Sequence, residues 1–226
     1  MTIHPAVRLL VPAGLFAILV AAPRGRRDPA ADPGPAPVLE PQPEAVPDVP
    51  LSELYHELPA PGAKVTVVEF SDFGCPYCGR FSLETFPQLR KEYVETGKVR
   101  WRFVPFSLGI FPNGAEAMQA ATCVAEQGED AFWKMHDILF ATQAEWKGSR
   151  APRELFRGYA RKVGADIAAF DACYAGRRAE DRVAAATALA HRSGVRSTPS
   201  FFVGGTLIQG ALPIEQFRLV LDRVTR

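Results

Sequence analysis

Residues 64–78 read KVTVVEFSDFGCPYC, and the order of residue types in this stretch organises the rest of the chain. Lys64 to Ser71 is β-branched and almost wholly apolar, the composition of a central strand covered on both faces. Cys75-Pro76-Tyr77-Cys78 follows, and a helix is predicted from there to about Glu95, with Phe86, Leu89 and Tyr93 on one face. Pro87 lies inside that helix, lacks an N–H and clashes with the preceding turn, so a kink is expected. A cysteine at a helix N-terminus meets unpaired N–H groups and the positive end of the macrodipole, which favour its thiolate. Pro76 suits the first helical turn, where its missing N–H has no bond to lose. Cys78 lies nearly a turn further in, within reach of Cys75 but shielded. This arrangement suits thiol–disulfide exchange: an exposed, low-pKa sulfur attacks or is attacked, and the second sulfur resolves the mixed disulfide.

A C-x-x-C has other uses, namely a permanent disulfide or half of a zinc site. Zinc needs two further ligands, and the chain has neither a second doublet nor an H-x-x-x-H, so no metal is assigned. Two features favour the redox use. Glu69 interrupts the apolar strand six residues before Cys75. Buried, it would have a raised pKa and could exchange a proton with Cys78; the alternative is an ordinary acid on an open strand face. Thr198-Pro199 stands before the strand-like run Ser200–Val203, where an X-Pro bond can be cis.

Beyond the motif, Lys98 to Pro105 (KVRWRFVP) reads as a second strand. Roughly ninety residues of helical pattern follow: Asn113–Glu126, Asp130–Thr142, Pro152–Val163, Ile167–Ala175 and Ala179–Ser193. Strands return at Ser200–Val203 and Thr206–Gln209, with Gly204-Gly205 as the hairpin turn. A last helix is expected to start at Pro213 and to present Ile214, Phe217, Leu221 and Val224. The order is β-α-β, a helical block, then β-β-α. The fold class is therefore α/β: a thioredoxin fold with a helical insertion, about 107–196, between its two halves.

At the other end, Leu9 to Ala22 (LLVPAGLFAILVAA) is an apolar run of signal-peptide length behind Arg8, so residues 1–22 read as a signal peptide or membrane anchor. Residues 23–50 are proline-rich and free of aromatics, the composition of an extended spacer. At ~3.1 Å per residue this spacer would reach roughly 80–90 Å. The folded domain is expected over 51–226. Export places the four cysteines where disulfides persist. The 226 residues carry 26 Lys and Arg against 25 Asp and Glu, a formal charge of +1, which gives no electrostatic case for nucleic acid.

Taken together, V-V-E-F-S-D-F-G-C-P-Y-C, the T-P-S-F-F-V-G-G loop and the helical block between them resemble the DsbA family of thioredoxin-fold proteins over about Leu51 to Arg226. The resemblance implies Cys75 as nucleophile, Cys78 as resolving thiol, Glu69 as buried acid and Thr198-Pro199 as a cis-proline loop beside the disulfide, with Pro76 and Tyr77 as the inner dipeptide. It also implies that Cys123 and Cys173 pair as a structural disulfide; two buried free thiols or a second redox pair are the alternatives. The expected activity is an extracytoplasmic (periplasmic or outer membrane face) dithiol oxidase without a cofactor. Its expected substrates are exported cysteine-containing proteins or peptides, with a quinone-linked membrane oxidase as its reoxidant. Strong oxidants of the family carry histidine where Tyr77 stands, and Pro-Tyr also occurs in glutaredoxins. The Cys75 pKa is accordingly expected at about 4–6, a moderately oxidising site. The rival readings are a disulfide reductase or isomerase of the same fold and a redox-inactive peptide-binding module. An isomerase generally needs a dimerisation module; none is read, and a monomer is expected. His136, beside Trp133 and Phe140, reads as a core or surface-edge histidine. Phe106, Phe111, Phe132 and Trp133 read as packing between lobes or as a groove wall.

Overall fold

The computed structural model describes residues 50–226. The apolar run Leu9–Ala22 and the proline-rich spacer up to Pro50 lie outside the described residues. Five strands form one mixed sheet: β1 (His56–Leu58), β2 (Val65–Ser71), β3 (Val99–Pro105), β4 (Ser200–Val203) and β5 (Thr206–Gln209), in the order β1-β3-β2-β4-β5. β2 and β3 run parallel, and every other neighbouring pair is antiparallel. β2 is the middle strand, as its apolar run requires.

The β2–β3 crossover is helical over 76–94. It contains α1 (Pro76–Arg80) and α2 (Phe86–Leu89), each followed by a wider π-type turn, Phe81–Thr85 and Arg90–Val94. Pro87 has no N–H to give the ordinary helical acceptor, and just before it the Phe86 N–H reaches back to the Phe81 carbonyl. The expected kink is thus a local widening of the helix, with Phe81, Phe86, Leu89 and Tyr93 still directed into the core.

Between β3 and β4 stand α3 (Gly114–Ala125), α4 (Glu129–Ala141), α5 (Gln143–Lys147), α6 (Pro152–Lys162), α7 (Ile167–Ala175) and α8 (Arg178–Arg192). α9 (Ile214–Val224) closes the chain. Pro213 is the residue before this helix rather than its first member: its extended ψ of 142° places it at the N-cap. Gly204 and Gly205 turn the β4–β5 hairpin at φ +55° and +82°, which side-chain-bearing residues rarely adopt.

The period-2 alternation of the strands divides the core. Val67, Glu69, Trp101, Phe103, Phe201 and Val203 face the 76–94 helix, α4 and α9. Phe70, Val104 and Phe106 pack with α8, whose Ala185, Ala186 and Ala190 let it sit close. Cys123 in α3 and Cys173 in α7 are joined by a disulfide, with Cα atoms 5.6 Å apart. Among the described residues no helix is long and apolar enough to cross a membrane.

Candidate active site

β2 ends at Ser71, and the chain must turn sharply to enter α1. Asp72 holds that turn. Its carboxylate accepts from the N–H of Gly74 at 2.8 Å and of Leu108 at 3.0 Å, and its carbonyl accepts from the Cys75 N–H at 3.0 Å. Gly74 is required here because a Cβ would collide with the Phe111 Cβ. The turn delivers Cys75 as the N-cap of α1, with Pro76 following at the start of the helix. The Cys75 Sγ accepts from the Cys78 N–H at 3.4 Å and donates to the Thr198 carbonyl, also at 3.4 Å. The Thr198-Pro199 peptide is cis.

Both cysteines of the pair are free thiols. Cys78 is fully buried, and Cys75 is 2% exposed. The sequence pointed to an exposed attacking sulfur; Cys75 is buried instead, with its Sγ against the Thr198 carbonyl of the cis-proline loop. Its hydrogen bond with Cys78 is the chief cause that holds the Cys75 thiol down at about 6; burial opposes it, and Thr198 and the N–H groups of Cys78 and Tyr77 assist. Cys78 is pushed far the other way, first by burial and then by Cys75 itself. Two thiols of one motif are therefore set apart by their surroundings.

Glu69 is 1% exposed. One carboxyl oxygen accepts from the Trp101 indole N–H at 2.9 Å, and the other is buried without a partner. Burial raises its pKa to about 7, against the pull of Trp101 and Ser71. The buried Ser71 hydroxyl eases ionisation of both Glu69 and Cys78, although neither contact has full hydrogen-bond geometry. Burial also raises Asp72 to about 6, opposed by its two backbone donors.

Tyr77 is 58% exposed and lies under the Arg80 guanidinium, 5.6 Å from the ring centre. Tyr77, Arg80, Thr198, Leu212 and Pro213 line a groove of about 470 Å³ beside the thiol pair. His136 is a core residue: burial holds its imidazole below the usual range, and Phe73, Phe103 and Phe140 surround it. Phe106, Phe132 and Trp133 are likewise buried packing.

Two polar residues at the site carried no sequence signal. Asp72 resembled any turn acid. Gln143 is 68 positions from Cys75 in the chain, yet its side-chain amide donates to the Cys75 carbonyl at 2.9 Å and also to that of Phe73.

The thioredoxin family model matches residues 58–223. The Na(+)/H(+) antiporter NhaA 3 of Salinispora tropica is 41% identical over 155 residues, 68% of this chain and 22% of the antiporter. This chain therefore spans about a fifth of the length of such relatives. A probable disulfide bond formation protein D from Bacillus anthracis is 28% identical over 149 residues, covering 64% of this chain and 67% of that protein. Among solved structures, Wolbachia pipientis alpha-DsbA1 matches with a TM-score of 0.68 at 21% identity, over 76% of this chain and 90% of its own.

Proposed function

Since this chain belongs to the thioredoxin family and has the DsbA-type fold with its helical insertion, we propose that it is a thiol–disulfide oxidoreductase acting as a dithiol oxidase. The observation that carries this reading is the split between the two thiols of the Cys75–Cys78 pair. One is lowered to about 6 at the N-cap of α1, and the other, a helical turn further in, is raised.

In the oxidising direction a substrate thiolate attacks the Cys75 sulfur of the Cys75–Cys78 disulfide. The S–S bond breaks, a substrate–Cys75 disulfide forms, and Cys78 leaves with the electron pair. Because Cys78 resists carrying charge, it needs a proton, and in this reading the buried Glu69 carboxyl, raised to about 7, supplies it. A second substrate thiolate then attacks the substrate sulfur of the mixed disulfide. Cys75 leaves as a thiolate, which its low pKa favours. The substrate has lost two electrons, and the enzyme holds them as a dithiol. A membrane quinone-linked oxidase would take them up again. The substrates in this reading are exported proteins or peptides with exposed cysteine pairs, bound in extended form along the groove beside Thr198-Pro199.

The division of labour is testable with a reduced two-cysteine peptide. Cys78→Ser should accumulate a mixed disulfide with the peptide that survives denaturation, and Cys75→Ser should form none. Normal turnover by Cys78→Ser would refute the assignment of attacking and resolving sulfurs.

A further inference from the structure

The amide of Gln143 is the only side chain of the helical insertion with a hydrogen bond to the carbonyl of Cys75 among the described residues. Its Nε2 donates to both Phe73 and Cys75, so the two residues bracketing Gly74 are tied to the first residue of α5. Two carbonyl acceptors leave no choice of orientation: the nitrogen faces the turn, and Oε1 faces α1. There the chain has Gly79, and a Cβ at that position would stand 2.7 Å from the Gln143 Oε1. The other end of α5 is fixed too, since the Asn113 amide donates to the Trp146 carbonyl at 2.7 Å and to that of Ser149 at 2.9 Å.

We infer that Gln143 is a positioning residue that sets the redox poise of the Cys75–Cys78 pair by locking the turn on which Cys75 caps α1. The inference rests on the redox reading of that pair. The Cys75 carbonyl also accepts from the Gly79 N–H at 3.1 Å, the bond that opens the helix. A second donor on the same oxygen holds Cys75 in its extended cap conformation, with Sγ over the Cys78 N–H. The amide hydrogens of Gln143 also bring positive partial charge to the base of the turn. Both effects favour a thiolate, which exists only in the reduced pair. The disulfide gains nothing comparable.

Loss of the amide should therefore disfavour the dithiol. In Gln143→Ala and Gln143→Leu the equilibrium constant with glutathione should move about three- to tenfold toward the disulfide, the range of one or two hydrogen bonds. The thiolate midpoint of Cys75 should rise in parallel. Gly79→Ala reaches the same lock from the other side by displacing Oε1, and should shift the equilibrium in the same direction. In the Gln143→Ala background, Gly79→Ala should add no shift and should raise the melting temperature, because alanine is the better helix former. An equilibrium constant within twofold of wild type in both Gln143 variants, even with a lowered melting temperature, would overturn the inference and leave the redox reading standing. Equal Gly79→Ala shifts in both backgrounds would overturn it as well. If the unsubstituted pair did not equilibrate with glutathione at all, the redox reading itself would fall.

Discussion

A carboxyl group enclosed by Trp101 on the inner face of the sheet is costly to ionise, and Glu69 retains that cost in the folded state. Its pKa rises from 4.5 to about 7, so the folded chain holds a proton that the unfolded chain releases. The sign follows from proton linkage: stability falls as pH rises from 4.5 toward 7, and the full cost is present above that. Glu69→Gln removes the titration while keeping an acceptor for Trp101. Its stability advantage over wild type should grow across that window by about 2–3 kcal/mol, an upper figure. Urea melts at pH 4.5 and pH 8 would measure it, and a constant difference between the two proteins would count against a buried protonated acid. Glu69→Gln should also slow the step that breaks the Cys75–Cys78 bond. The placement of Glu69, Cys75, Cys78 and Thr198-Pro199 was legible because each marks an element boundary or breaks a pattern. Asp72 and Gln143 were not, since their role is set by which backbone groups the fold brings to them.

At the scale of elements, the helices of nine residues or more and the strands β2 to β5 could be read from period, composition and the Gly204-Gly205 turn. β1 was missed because three residues carry no period. His56-Glu57-Leu58 become a strand only by pairing with Phe103, Arg102 and Trp101 of β3. α5, five residues long, is likewise defined by its tertiary bonds. Pairing between α3 and α7 came from the resemblance, not from spacing. Their disulfide closes a span of 50 residues, which in the chain-entropy model corresponds to ~4 kcal/mol. Replacing both Cys123 and Cys173 by Ala should lower the melting temperature by about 8–16 °C and leave peptide oxidation largely intact. Loss of oxidation with an unchanged melting temperature would instead mean a relay between the two pairs.

At the scale of the whole molecule, the sheet topology places the β2–α1 turn, the cis-proline loop before β4 and the insertion around one thiol. The order β-α-β, helical block, β-β-α anticipated the topology, because a parallel β2–β3 pair requires a crossover. That the cis-proline loop flanks the thiol pair was implied by the resemblance, and the approach of the insertion through Gln143 was not read. The location of the domain is read from residues outside the described ones. Alkaline phosphatase fused after Pro50 should be active, since it needs an oxidising compartment, and a stable but inactive fusion would contradict export. The central claim is that the field around Cys75 makes this pair an oxidant, and the equilibrium potential against a glutathione buffer tests it most directly. A Cys75 thiol at about 6 lies between thioredoxin, near 7, and DsbA, near 3.5. The account therefore predicts a potential between about −120 and −230 mV. A value at or below about −270 mV would contradict it and make the chain a reductase.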